Sequence, residues 1–299
     1  MLDLEISIAV LINPLAGSGN MQVIKSGIAA FLQSKKSKYT IYEAQWPLTL
    51  DIFTHIFLVG GDGTLNYFIN RHPENKIPVS IICAGTGNDF AWKLHGDISL
   101  KDQLNIALNS KPRPVDAGIC NGKYFINGVG IGFDGAVVKN MRPDKILFKG
   151  WLAYYWTVIK TICIYRSTMV SISAELAEET SGNIDCDRTV KQLPVKAFMV
   201  TVANGSRFGG NFMVAPQACI DDKILDLIII KSITIPKRYF YLPLMKKGRH
   251  LSLPFVKTFK IKSVTVWSKQ QVPAHLDGEL MIDTYFEIKM LPGHFLFRY

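Results

Sequence analysis

The feature that most constrains this chain is a figure that recurs three times in its first hundred residues: an apolar run, a glycine-rich turn, then helical spacing. Ile6 to Ile12 leads into Asn13-Pro14-Leu15-Ala16-Gly17-Ser18-Gly19-Asn20 and on to Met21 to Phe31, where Val23, Ile24, Ile28 and Phe31 share one helical face. Ile56 to Val59 leads into Gly60-Gly61-Asp62-Gly63-Thr64 and a helix opening over Leu65 to Ile69. Val79 to Cys83 leads into Gly85-Thr86-Gly87-Asn88-Asp89 and Phe90 to Leu94, while Tyr39 to Tyr42 supplies one further strand. Strands alternating with helices predict a parallel sheet, in which ligands bind beyond the carboxyl ends of the strands. All three turns then fall on that edge.

The pattern changes after Lys111-Pro112-Arg113-Pro114, which reads as a linker. Short strands follow at Gly118 to Cys120, Tyr124 to Ile126, Met169 to Ile172, Val195 to Val202, Leu225 to Ile230, Val264 to Trp267 and Tyr285 to Met290. Helices are expected at Ile146 to Tyr165 and around Tyr239 to Lys246. A length of 299 residues suits two medium domains. The expected division is 1–115, α/β, and 116–299, mostly β, with the extreme C-terminus packing back on the first.

With 48% hydrophobic residues the chain is globular, neither disordered nor collagen-like. Its five cysteines, 83, 120, 163, 186 and 219, are widely spaced with no CxxC pair, which argues against a disulfide framework and fits a reducing cytoplasm. MLDLEISIAVLINP has no basic n-region and reads as a first strand, not a signal peptide. The apolar stretch Trp151 to Tyr165 is broken by Lys160 and falls short of the roughly 20 residues a membrane span needs.

Charge is unevenly placed. The net charge is +10, and Lys231 to Lys269 holds ten basic residues and no acid, interleaved with Tyr239, Phe240, Tyr241 and Phe255. Such a segment attracts a polyanion, at about 1 kcal/mol per Lys or Arg near a membrane surface. A solvated basic face over a core stripe is the alternative, and no nucleic-acid-binding motif accompanies it.

The turns suggest phosphate chemistry. Gly-Gly-Asp-Gly-Thr after a buried strand lets main-chain N–H groups close on a phosphate, and the next helix N-terminus adds its partial positive charge. Thr64 can donate a hydroxyl hydrogen bond, and Asp62 can bind magnesium or a ribose hydroxyl; alternatively the turn is a tight connection in which Asp62 caps the helix. No Walker A lysine follows Gly17, and no GxGxxG opens the first helix. The six histidines show no HxxxH or HExxH spacing, and no GxSxG marks a hydrolase.

The chain resembles the bacterial diacylglycerol kinase-like lipid kinases, which share a catalytic domain with sphingosine and ceramide kinases and, more distantly, with NAD kinases and phosphofructokinases. The resemblance covers nearly the whole chain: Asn13-Pro14 with Gly17 and Gly19, GGDGTLN at Gly60 to Asn66, GTGNDFA at Gly85 to Ala91, FINGVGIGFD at Phe125 to Asp134, NGSRFGGNFMVAP at Asn204 to Pro216, and LDGE at Leu276 to Glu279. It implies an NAD kinase/phosphofructokinase-like α/β domain and a β-sandwich domain.

It also implies ATP as phosphoryl donor, Mg2+ as cofactor and a lipid as acceptor. Nucleotide would be held by Asn13, Pro14, Gly17, Gly60, Gly61, Asp62, Gly63, Thr64, Leu65, Asn66, Gly85, Thr86, Asn88 and Asp89. Glu279 would be the base with Asp277 beside it, and Asp62 would serve catalysis. Asp134 matches a position that touches the lipid headgroup in the sphingosine-kinase branch. The Asp222 carboxylate and the carbonyls of Cys219 and Ile224 would hold a structural magnesium, an oxygen set that suits a hard cation.

Three positions depart from the family pattern. Only Glu43 to His55 separates the second strand from the next, where a longer helical segment is usual; Lys223 and Asn211 stand where glycine is common. The leading expectation is a cytoplasmic lipid kinase that meets an anionic membrane surface peripherally through the basic segment or the Ile146 to Tyr165 helix. The alternatives are a kinase of a soluble acceptor and a non-catalytic nucleotide- or lipid-binding regulator. A homodimer is left open.

Overall fold

The computed structural model describes residues 6–17, 21–141, 151–177, 189–210 and 212–299. Ser18 to Asn20 of the first turn, Cys186, Asn211, positions 146–150 of the expected helix and the Trp151 side chain lie outside this description. The chain divides into two compact units, Met1–Val115 with Gly293–Tyr299, and Asp116–Pro292.

The first unit is α/β. Its elements are β1 (Ser7–Ile12), α1 (Met21–Ser34), β2 (Lys38–Glu43), β3 (His55–Gly60), α2 (Asp62–Arg71), β4 (Val79–Cys83), α3 (Asp89–His95) and α4 (Leu100–Asn109). Strand order is β2-β1-β3-β4, every pairing parallel. Phe297, near the end of β12 (Glu279–Arg298), pairs in parallel with Val79. β1 and β3 are buried along nearly their whole length, which is why they read as continuous apolar runs and not as alternation. Their Ile8, Val10, Ile12, Phe57 and Val59 pack against Ile28 and Leu32 of α1 and Leu104 and Ala107 of α4. Helix α4 was not anticipated, although Ser99 caps it by accepting from the Asp102 N–H at 3.2 Å.

The short stretch from Glu43 to His55 is folded down without a helix. Trp46, Leu50 and Phe53 are buried, Trp46 Nε1 donates to the Ile12 carbonyl, and the indole meets Tyr67 of α2 edge-on at 5.3 Å.

The second unit is antiparallel β, with three helices among the described residues. It holds β5 (Pro112–Cys120, entering from the first unit), β6 (Lys123–Phe125), β7 (Gly128–Gly132), α5 (Phe133–Asn140), α6 (Trp151–Ile164), β8 (Thr168–Leu176), β9 (Thr189–Ala203), β10 (Leu225–Lys231), α7 (Ile235–Lys246), β11 (Val256–Leu276) and β12. Two long strands organise it. β9 pairs with β10, β7 and β8, and β11 pairs with β10, β8, β7 and β12. One core holds Val170, Ile172, Val200, Leu227, Ile229, Val264, Val266 and Phe286. On the other side Phe133 and Val137 of α5, Val158 and Ile162 of α6, and Tyr241, Leu242 and Met245 of α7 pack over Phe198 and Ile228.

The fold class expected from the sequence is the one observed. Besides α4, three details differ. Pro112 to Pro114 open strand β5 and are not a free linker; β7 and α5 were not foreseen because Gly-Val-Gly-Ile-Gly carries too few side chains to show a period; and β11 and β12 extend far beyond the apolar cores that marked them. Cys83, Cys120, Cys163 and Cys219 are free thiols. Among the described residues no helix is long and apolar enough to cross a membrane.

Candidate functional site

In the α/β unit the three turns leave the carboxyl ends of β1, β3 and β4 and meet. Asn13 N–H bonds the Val59 carbonyl and Ala84 N–H the Gly60 carbonyl, so each turn is tied to the neighbouring strand end. Asn13 Nδ2 donates to Thr64 Oγ1 at 2.9 Å, joining the first turn to the second. A Cβ on Gly61 would lie 2.8 Å from the Gly85 Cα, and one on Gly85 would lie 2.5 Å from the Gly61 Cα. Only glycine on glycine lets the second and third turns approach this closely. Gly17, at φ +75°, backs onto the Ala84 carbonyl, where a Cβ would sit 2.1 Å away.

The carboxylate of Asp62 joins the turns as well. It accepts from Asp89 N–H through Oδ2 at 3.0 Å and from Phe90 N–H through Oδ1 at 3.1 Å. It therefore caps α3, the helix after the third turn, whose flanking Asn88 makes no side-chain cap, and not its own helix α2. Asn88, at φ +49°, closes the third turn with its side chain, accepting from Gly85 N–H and donating to the Gly85 carbonyl.

Of the residues singled out for nucleotide, Pro14, Gly17, Gly63 and Thr86 lie exposed on this edge, with Asn13, Gly61, Asp62, Gly85 and Asn88 half-buried beside them. Gly60, Thr64, Leu65, Asn66 and Asp89 are buried. Thr64 thus does not present a hydroxyl to the outside: its oxygen accepts from Asn13. Burial, with the charges of Asp62 and Asp97, pushes the nearby Cys83 thiol up to about 12, so it is not a nucleophile at neutral pH.

In the second unit Leu276-Asp277-Gly278-Glu279 is a tight hairpin turn. Leu276 pairs with Glu279, and Asp277 and Gly278 have φ +49° and +92°, the two-residue geometry that Asp-Gly favours. Asp277 accepts three main-chain N–H groups, from Ile126 at 2.8 Å, Asn127 at 2.9 Å and Gly128 at 2.8 Å. Glu279 is exposed, and its side chain has no partner among the described residues.

Asp134, in the first turn of α5, accepts from Gly135 N–H at 3.1 Å; Thr201 Oγ1 lies 3.5 Å and His275 Nε2 3.7 Å from its other oxygen. His275 is buried and its Nδ1 accepts from Gly278 N–H at 3.3 Å, so it links the hairpin turn to Asp134. Two buried amides complete the surroundings. Asn204 Nδ2 donates to the carbonyls of Asp116 and Ile126, and Asn127 Nδ2 donates to the Arg207 carbonyl. Neither asparagine was singled out from the sequence; the signal was the Asn-Gly pair that each opens.

Around the expected structural cation, Asp222 Oδ1 accepts from Ile224 N–H at 3.1 Å, and Lys223, at φ +62°, adopts the left-handed conformation at about 1–2 kcal/mol. Lys223 N–H in turn reaches Asp116 Oδ2. Burial raises the Asp222 carboxyl above its ordinary range; Asp226 and Asp116 push the same way, while Lys260 and the Ile224 amide oppose them. The all-oxygen donor set of the Asp222 carboxylate with the Cys219 and Ile224 carbonyls suits a hard cation. Among the described residues no group of three or more His, Cys, Asp or Glu side chains converges on a metal position, so a site here depends on those carbonyls.

Comparison with known proteins agrees in both units. A family model for the diacylglycerol kinase catalytic domain matches residues 7–120, and one for the YegS C-terminal NAD kinase beta sandwich-like domain matches residues 127–296. The diacylglycerol kinase of Bacillus subtilis (strain 168) is 29% identical over 252 residues, 83% of this chain and 76% of its own. The candidate lipid kinase YtlR of the same strain is 26% identical over 313 residues, 95% of this chain and 96% of its own. A crystal structure of a candidate diacylglycerol kinase from Bacillus anthracis str. Sterne superposes with a TM-score of 0.78 at 24% identity, covering 99% of this chain and 95% of that one.

Proposed function

As the chain belongs to the bacterial diacylglycerol kinase-like family of lipid kinases, we propose that it transfers the γ-phosphoryl group of ATP, with Mg2+, to a hydroxyl of diacylglycerol or a related lipid presented at an anionic membrane surface. The observation that carries this reading is the junction of the three turns. Their exposed edge offers main-chain N–H groups and the start of α2 to a phosphate chain without any lysine.

Phosphoryl transfer asks the protein mainly to position groups and to stabilise charge, while one carboxylate takes the proton of the attacking hydroxyl. Glu279 fits that second task, because its carboxylate is exposed and uncommitted. Asp277 fits a supporting one: three N–H groups on its carboxylate hold the turn that presents Glu279. Asp134 would orient the acceptor, tied through His275 to the same turn.

When bound, Mg2+ supplies neutralisation of charge on the transferring group. Asp62 would share it, since each of its oxygens keeps a lone pair after accepting one N–H. Asp222 with the Cys219 and Ile224 carbonyls would hold a second, structural ion.

The test is incubation with labelled ATP, Mg2+ and vesicles carrying several candidate lipids. Label in one organic-extractable species is the expected result and names the acceptor. Label only in a water-soluble product would replace the lipid with a soluble acceptor, and absence of ATP binding would replace catalysis with a regulatory role.

A further inference from the structure

Helices α6 and α7 lie side by side. Cys163 Sγ is 2.8 Å from Tyr239 Oη, and Arg238 of α7 donates to the carbonyls of Ile162 and Tyr165 at 2.8 and 2.7 Å. Thr157, Val158, Thr161 and Ile162 bury one face of α6. The opposite face is apolar too: Leu152 and Trp156, four residues apart, are 48% and 56% exposed, and the exposed Cys163 continues the stripe. On α7 the burial of Arg238, Tyr241, Leu242 and Met245 turns Phe240, 67% exposed, outward between Pro236 and Pro243. A surface helix normally keeps its outer face polar, and contiguous exposed apolar groups mark an interaction site.

The charge around this surface decides what covers it. Of the ten basic residues from Lys231 to Lys269, two are employed elsewhere: Arg238 is buried over the Phe198 ring, and Lys260 pairs with Asp226. Lys237, Lys246 and Lys247 remain exposed on or beside α7, and Lys160 and Arg166 on or after α6. No Asp or Glu occurs between positions 145 and 174, or between 231 and 276. Lysine is depleted at protein–protein interfaces, whereas aromatic and aliphatic groups ringed by unopposed lysines suit the boundary of an anionic bilayer.

We propose that α6 and α7 together form the face that docks on an anionic phospholipid leaflet, with Trp156 and Phe240 entering the headgroup–acyl boundary while Lys160, Lys237 and Lys247 rest on the phosphates. The proposal builds on the reading that the acceptor is a lipid, which must be met at a bilayer, but it concerns a surface the transfer chemistry does not use.

Sedimentation with vesicles of phosphatidylcholine, alone or mixed with phosphatidylglycerol, tests it. The wild-type protein is expected to bind the mixed vesicles and to be released by salt. Trp156→Ser with Phe240→Ser should lower binding about tenfold or more, and Lys237→Gln or Lys247→Gln about fivefold each with a flatter salt dependence. Brominated lipid should quench wild-type fluorescence more than that of Trp156→Phe. Thermal unfolding should be unchanged in all of these variants.

Wild-type binding by the double variant would overturn the proposal, as would a lipid-free dimer that the double variant dissociates, since a second copy would then cover the face. The variants should phosphorylate a detergent-dispersed acceptor normally and a vesicle-borne one poorly; equal loss on both would overturn the assignment to docking. If the wild-type protein labels no lipid but its vesicle binding follows this pattern, the acceptor reading fails and the surface stands.

Discussion

The α/β unit and the β unit build their candidate sites from opposite materials. In the first, the surface of the candidate site is main chain: the second and third turns pack glycine against glycine, and side chains that face inward, such as Asn13 on Thr64, hold the first turn to the second. In the second, the surface is side chain, and main chain does the holding. The contrast is sharpest in two acids. Asp62 spends its carboxylate on two N–H groups and fastens one turn to the next helix; Asp277 spends its carboxylate on three and fastens a hairpin turn to the start of β7. A motif acid can thus be a fastener, while its neighbour Glu279 is left uncommitted.

The comparison breaks most readily at that pair. Glu279→Gln should cut turnover by about 10²–10⁴-fold, the usual worth of a positioned base, while nucleotide affinity holds and unfolding in urea shifts by no more than about 0.5 kcal/mol. A large stability loss would show that Glu279 is a fastener as well. Asp277→Ala should do the reverse and lower the unfolding free energy by about 3 kcal/mol or more, because three N–H groups lose a charged acceptor. Asp277→Asn, which keeps an acceptor and tolerates positive φ, should recover part of that loss.

Asp62→Ala should remove turnover and also cost about 2 kcal/mol of stability, since α3 loses its cap. A variant as stable as the parent would mean the cap is dispensable, and full activity would sink the assignment of Asp62 to the reaction.

The smallest effect sets the two units against each other under acid. Burial, aided by Arg298, lowers the imidazole of His55 in the α/β unit to about 4, and burial lowers that of His250 in the β unit to about 4 as well. Unfolded histidine takes a proton near 6.5, so each contributes stability that is whole above that pH and is lost as pH falls from about 6.5 toward 4. Near pH 5 the loss should be about 1–2 kcal/mol per histidine. Urea unfolding of His55→Gln and His250→Gln across this range tells which unit gives way first, and an acid response unchanged in both would place the sensitivity elsewhere.

Much of the fold was legible because it is written in local patterns. The buried strands of the first unit are continuous apolar runs, and each is punctuated by glycines, so β1, β3, β4 and the helices after them were found close to their observed bounds. Where side chains are sparse or long strands alternate unevenly, the pattern failed: β7 is three glycines in five residues, and β11 runs 21 residues in which four lysines and other polar residues break the apolar alternation. The hairpin at Asp277-Gly278 was legible as an Asp-Gly signal between two strands.

By itself the sequence determined the α/β and β division of labour, the one edge on which three glycine turns gather, and the acid-free basic stretches, because periodicity, glycine and charge act over a few residues. Only the tertiary structure decided which carboxylates are occupied and which basic residues are free. Asp277 meets its partners across about 150 positions of chain, and Arg238 is withdrawn from the surface by carbonyls more than 70 positions away. Whether a charge is a fastener or a reagent depends on main-chain groups that long-range packing brings to it, and no local pattern carries that information.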